Sequence, residues 1–233
     1  MTGPANNDHL LDDLRAALQP HGLFLRGVVN VDEQENAPYL EEGRQAKSVV
    51  LVGNVGGSLW RPFSAWRSAQ SDLGGEHPLD NWSKAVLRPL SRQFGATVYF
   101  PSDPPWQPFQ RWAMQAEGLT SSPLGILIHH QYGLWHGYRG ALGFGCSFAV
   151  PRHQTTQHPC ESCAEKPCLT HCPAAAITGE GFQYQPCRSY LKTESGETGC
   201  MQSGCLARAG CPVGADYRYP PEQLRFHMAA LER

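Results

Sequence analysis

Eight of the chain's nine cysteines fall between Cys160 and Cys211, and only Cys146 lies outside that stretch. The first half reads Cys160-x2-Cys163-x4-Cys168-x3-Cys172-Pro173, and the second places Cys187, Cys200, Cys205 and Cys211-Pro212. Thiols at this density either cross-link or hold metal, and the compartment decides which. The first residues, MTGPANNDHLLDDL, carry acids where a secretory signal needs a basic start and an apolar centre. No apolar run approaches the ~18 residues of a membrane span. The expected compartment is therefore the cytoplasm, where thiols stay reduced, so the cysteine stretch is expected to bind metal or carry redox chemistry.

An iron-sulfur cube needs four thiolates converging on its corners. The first half resembles the bacterial ferredoxin run C-x2-C-x2-C-x3-C-P, with Glu165 and Lys166 in a widened gap. In two-cluster ferredoxins the closing Cys-Pro serves the other cluster. By that resemblance Cys160, Cys163 and Cys168 share one 4Fe-4S cluster with Cys211, while Cys187, Cys200 and Cys205 share a second with Cys172. The second half is wider, and there Cys187-Arg-Ser-Tyr-Leu-Lys-Thr-Glu194 is similar to the C-I-S-Y-L-T-I-E segment of epoxyqueuosine reductases. The alternative is zinc, held by Cys160, Cys163, Cys168 and Cys172 as one tetrahedral site. His171 is expected to tune hydrogen bonding or solvent access beside Cys172 without being a ligand. Cys146, inside ALGFGCSFAV, is expected to be a buried small hydrophobe.

The chain as a whole has a globular balance, with 41% apolar residues, 24 glycines, 19 prolines and a formal net charge of −2. In 233 residues there is room for one domain of moderate size and an appendage. The 19 basic residues form no stripe, which argues against nucleic acid and against an anionic membrane surface. Leu10, Leu11, Leu14 and Leu18 share a helical face, and 23–31 and 48–52 read as strands. The turn Gly53-Asn-Val-Gly56-Gly57-Ser58 lacks dinucleotide-loop spacing and reads as a tight turn near a ligand. Leu79, Trp82, Val86 and Leu90 form a core stripe in a helix that Pro89 is expected to kink or restart. Residues 96–100 read as a strand, and Pro108 opens a helix whose face is Phe109, Trp112, Ala113 and Ala116. Residues 124–128, 134–138 and 141–148 read as further strands, and 217–233 as carrying a short helix.

One segment, Ile128-His-His-Gln-Tyr-Gly-Leu-Trp-His-Gly-Tyr-Arg-Gly140, resembles I-H-P-R-F-G-G-W-F-A-I-R-G of the cobalamin-trafficking CblC chaperones. Ile128, His129, Gly133, Trp135, Arg139 and Gly140 are identical, whereas His130 and Gln131 replace proline and arginine. Leu18-Gln-Pro-His-Gly22 and His77-Pro-Leu-Asp80 are similar to the family's L-C-P-F-G and D-P-V-D. The resemblance covers roughly residues 10 to 145. It implies an α+β fold with a flavin-reductase-like mixed sheet and flanking helices, followed here by the ferredoxin-like two-cluster 4Fe-4S segment. It also implies a corrinoid pocket lined by His129, Tyr132, Trp135 and Tyr138, with Arg139 at the position associated with a thiol cosubstrate. A flat macrocycle wants such an aromatic wall with a few donors.

The expected organisation is a CblC-like domain over 1–150, a linker over 151–158, an iron-sulfur segment over 159–216 and a C-terminal helix over 217–233. The linker would let the cluster segment fold back, with His153 and His158 as linker residues. The expected function is an iron-sulfur oxidoreductase that passes electrons from its clusters to a bound corrinoid (cobalamin). Its electron donor would be a reductase or flavodoxin-like protein, with no membrane or nucleic-acid partner. The alternatives are a ferredoxin-type electron carrier without corrinoid and an epoxyqueuosine reductase-like enzyme. Reductive dehalogenases carry a similar cluster segment.

Overall fold

A computed structural model describes residues 5–31, 37–150 and 157–232. In chain order they form α1 (Ala5–Leu18), β1 (Phe24–Asn30), β2 (Ser48–Val55), α2 (Trp60–Ser68), α3 (Pro78–Gln93), β3 (Thr97–Tyr99), α4 (Phe109–Glu117), β4 (Thr120–Ser121), β5 (Leu127–Ile128) and β6 (His136–Phe144). There follow α5 (Pro167–Thr170), β7 (Ile177–Thr178), β8 (Gly181–Phe182), α6 (Tyr184–Leu191), α7 (Glu194–Thr198), α8 (Cys200–Ser203), α9 (Leu206–Gly210) and α10 (Pro221–Ala229). Contacts gather these elements into two units. One holds 5–31, 37–118 and 137–150, and the other holds 119–136 with 157–232.

The first unit is built on a sheet of order β1-β2-β6-β3. Its central strand β2 contains Ser-Val-Val-Leu-Val, and every residue from Ser48 to Asn54 is buried. That run is the sequence signature of a strand covered on both faces. The expected mixed sheet is corrected, because the four strands are antiparallel. Asn30 faces Ser48 at one end of the β1–β2 ladder, and Tyr99 faces Ala141 between β3 and β6. Antiparallel neighbours need no crossover helix between them. Leu14 and Leu18 of α1, Phe63 of α2, Trp82 and Leu87 of α3, and Trp112 of α4 are all at most 2% exposed. The predicted face Phe109, Trp112, Ala113 and Ala116 is the buried face of α4. Gly27 is required where α4 crosses β1, since a side-chain carbon there would sit 2.8 Å from the Ala116 Cβ.

Three local expectations are corrected. Helix α3 does not restart at Pro89 but runs on to Gln93, with Val86, Leu87 and Leu90 buried on both sides of the one missing hydrogen bond. The two strand-like runs after 133 merge into the single strand β6, with Gly140 accommodated against Leu87 and the Tyr99 carbonyl. Cys146 is partly exposed beyond the end of β6, and its carbonyl accepts the Ser48 hydroxyl at 2.7 Å.

The second unit is made of short pieces. Helices α5, α7, α8 and α9 have four or five residues each, too few to be stable alone. Its apolar clusters are small: Leu191, Cys200, Met201 and Met228 form one, and Ile128, Leu134 and Cys211 the other. Cysteines stand in both. Among the described residues, no helix is long and apolar enough to cross a membrane.

Candidate functional site

The cysteine stretch folds so that the thiols sort into two sets of four. Helix α9 is bounded by Cys205 at its N-cap and Cys211 at its C-cap, and α5 carries Cys168 with Cys172 two residues past its end. The two helices pack on each other, so each brings one cysteine to each set. Cys172, Cys187, Cys200 and Cys205 line one cavity with Tyr190, Leu191, Leu206, Ala207 and Met228. Burial, and then the thiols of Cys205, Cys172 and Cys200, push the Cys187 thiol up. Burial, and then Cys211, Cys168 and Cys163, do the same to Cys160. Both groupings cross the sequence halves as the ferredoxin resemblance implies.

Backbone N–H groups are aimed at these sulfurs. Ala176 N–H donates to Cys172 Sγ at 3.3 Å. Burial raises the Cys205 thiol, and the N–H groups of Arg208 and Ala207 work against that rise. Val213 N–H does so for Cys211, and the N–H groups of Cys168 and Leu169 for Cys168, where burial again is the larger effect. The N–H donors thus offset part of the burial effect, which on balance still holds these thiols above their ordinary value. Among the described residues no group of three or more His, Cys, Asp or Glu is arranged to hold a metal ion. Of the four cysteines of the zinc alternative, Cys160, Cys163 and Cys168 stay together, and Cys172 lines the cavity of the other set.

Histidines hold the edges of this region. Cys160 N–H donates to His158 Nδ1 at 3.0 Å, which places the proton on Nε2, 3.0 Å from the Ser121 carbonyl. His171 is exposed, with Nδ1 2.8 Å from the Pro167 carbonyl. His153 lies outside the described residues.

Of the residues singled out for a pocket, His129, Tyr132 and Trp135 belong to the second unit and Tyr138 and Arg139 to the first. The N–H groups of Gln131 and Tyr132 both donate to His129 Nδ1, at 3.0 and 3.1 Å, and the two rings stack at 4.2 Å. Gly133, at φ +56°, completes this turn, since a side-chain carbon there would lie 1.9 Å from the Val213 carbonyl oxygen. The turn is thus pressed onto the chain just after Cys211-Pro212. Trp135 is 1% exposed, with the Arg208 guanidinium 4.3 Å from its ring and 4.7 Å from that of Tyr219. Arg208 also donates to the Leu134 carbonyl at 2.5 Å. Sequence reasoning missed Arg208 and Tyr219, because no local pattern marks a contact across more than 70 residues.

In the first unit Tyr138 donates to Glu117, which also accepts Arg26 Nε at 2.9 Å and Nη2 at 3.1 Å. Arg26 Nη1 reaches the Asn54 carbonyl at 2.8 Å. Burial, and then Glu117, push the Tyr138 hydroxyl well above its ordinary value. Arg139 Nη1 lies 3.7 Å from Asp80, so the ends of two of the quoted motifs meet. The Gly56-Gly57-Ser58 turn meets the third, since Ser58 donates to the Gly22 carbonyl at 2.7 Å. Clefts of about 330 and 480 Å³ open on this unit, the larger lined by His21, Trp66 and Trp82. None of the five pocket residues lines either cleft.

No family model matches the chain, and no curated protein sequence matches it. Its fold is similar to that of a C. elegans B12-trafficking protein CblC, a human MMACHC homologue, with a TM-score of 0.55 at 12% identity. The likeness covers 98% of this chain and 94% of that one, so it extends past residue 145. The α+β fold is CblC-like.

Proposed function

We propose that this chain is a two-cluster iron-sulfur protein that passes single electrons to a bound corrinoid, reducing it and releasing its upper ligand. The observation that carries the proposal is the sorting of eight cysteines into two sets, each completed by a Cys-Pro from the other half. Cys160, Cys163, Cys168 and Cys211 would hold one 4Fe-4S cluster, and Cys172, Cys187, Cys200 and Cys205 the other. Such clusters supply one electron at a time, over about −700 to +450 mV according to their surroundings. The chain's own part is to hold eight thiolates, to aim N–H donors at them and to enclose them in apolar residues.

The corrinoid half rests on the CblC-like fold and on the 128–140 resemblance. His129, Tyr132, Trp135 and Tyr138 are the proposed wall, and Arg139 the proposed anchor for an anionic cosubstrate, with Asp80 as its partner at 3.7 Å. The electron donor would be a reductase or a flavodoxin-like protein.

The test is an anaerobic titration of the iron-reconstituted, dithionite-reduced and desalted protein with hydroxocobalamin. We expect the cob(III)alamin band to convert to that of cob(II)alamin as cluster absorbance returns, one electron per cobalt. A cofactor spectrum unchanged at excess protein would remove the corrinoid half and leave a ferredoxin-type electron carrier.

A further inference from the structure

The smaller of the two clefts on the first unit, about 330 Å³, carries charge of both signs on its walls. The last turns of α3 bring Arg88 and Arg92 to it. Four residues apart, they are neighbours on one helical face. Glu41 lines the same cleft from a turn in which Gly43 N–H donates to the Leu40 carbonyl at 2.9 Å. Its own N–H donates to the hydroxyl of Thr97, the first residue of β3, at 2.8 Å. Phe100, 6% exposed, supplies apolar lining, and the Arg88 guanidinium lies 5.8 Å from the centre of its ring.

What the cleft can take depends on which of these charges are already matched. Asp103, also in the lining, is matched: Lys84 Nζ lies 2.6 Å from its carboxylate, and the Ser102 hydroxyl donates to it at 3.0 Å. Among the described residues, none of Arg88, Arg92 and Glu41 forms an ion pair. Two guanidiniums and one carboxylate thus border one space without pairing with each other. Its volume lies at the lower end of the range for small-molecule pockets, about 300–1,000 Å³. A ligand that enters has to pair the charges it desolvates, because a charge stripped of water and left alone is costly. Two cations call for two carboxylates, each of which a guanidinium can hold through paired N–H donors. Glu41 calls for an ammonium. A phosphate ester or a plain dicarboxylate answers the arginines but sets like charge against Glu41.

We infer that this cleft binds an amino dicarboxylate, a small molecule with two carboxylates and one ammonium. Arg88 and Arg92 take the carboxylates, and Glu41 takes the ammonium. Every residue involved belongs to the first unit, so the inference stands apart from the cluster and corrinoid readings.

The test is calorimetric titration of the full chain with four probes. L-glutamate carries all three charges, glutarate lacks the ammonium, L-glutamine lacks the second carboxylate, and inorganic phosphate is an anion alone. We expect saturable binding of one L-glutamate per chain, with the other three weaker by about tenfold or more, as the loss of one charge-assisted pair implies. In Glu41→Gln the advantage of L-glutamate over glutarate is expected to vanish, and in Arg92→Gln its advantage over L-glutamine. Both positions are exposed, so an unchanged denaturation transition of the first unit should accompany both variants. Glutarate or phosphate binding as tightly as L-glutamate would make the cleft a plain anion site and overturn the inference. So would the absence of saturable heat at millimolar L-glutamate, or a Glu41→Gln variant that keeps the preference for L-glutamate over glutarate. None of these results bears on the cobalamin titration, whose outcome is read at iron and cobalt.

Discussion

The two units of this chain are held together by different means. The first has a central strand with seven consecutive buried residues, and its helices α3 and α4 each bury two or more large side chains. Unit two has four helices of only four or five residues, and two small apolar clusters that each contain a cysteine. A segment that cannot bury enough apolar surface needs a metal or a cross-link to fold. The cysteines of the second unit stand among the residues around which its core closes, and under the proposed function they would be its ligands as well.

The largest expected effect follows directly. Iron removal by chelation under reducing conditions is expected to unfold the second unit and spare the first. Hydrogen exchange reads this by residue: amides of 119–136 and 157–232 lose protection, while those of β2 keep it. Protection of α6 and α10 that persists without iron would show that the second unit needs no cluster, and the contrast between the units would be lost.

Next in size is a change confined to the first unit. Arg26 and Glu117 have side chains 2% and 9% exposed, joined by two hydrogen bonds, with Tyr138 on the same carboxylate. Arg26→Met leaves Glu117 buried without its cation, and breaking a buried pair from one side costs about 3–5 kcal/mol. Chemical denaturation of the iron-loaded protein should show this loss in the transition of the first unit alone. An unchanged midpoint would mean that Tyr138 suffices to hold the carboxylate.

Gly133→Ala tests the second unit without touching a thiol. Its φ of +56° and the Val213 oxygen at 1.9 Å from the added carbon leave no room without backbone movement. A loss of about 2–4 kcal/mol is expected, with protection reduced around 128–135 and 211–214. Wild-type protection there would mean that the turn rests against something other than Val213.

These same residues show what the sequence made legible. The face of α4 and the run of β2 were readable because periodicity and β-branched composition are local signals. Arg26 was not: a charged residue within a strand pattern reads as solvent-facing, and its partner lies 91 residues away. Nor was the setting of Trp135, whose covering cation sits midway between Cys205 and Cys211. Pro89 misled because a single lost hydrogen bond in α3 is outweighed by Val86, Leu87 and Leu90 buried around it. The resemblance over 128–140 pointed to a pocket, and part of it, Gly133 above all, has a packing reason inside the second unit.

The smallest effect concerns His21, in the first unit, where burial holds the imidazole below its ordinary value of 6.5. A histidine with a lowered folded-state pKa binds its proton more weakly when folded than when unfolded. Its contribution to stability is full above pH 6.5 and is lost as the pH falls from there toward the folded value. The ring is half-buried beside the Trp66 and Trp82 cleft, so the slope is shallow. His21→Gln is expected to flatten the fall in stability of the first unit below pH 6.5 and to leave the second unit's pH response as it was. If the variant and wild-type curves run parallel through that range, the pH response of the first unit belongs to other groups, and the cleft around His21 is wetter than its two tryptophans suggest.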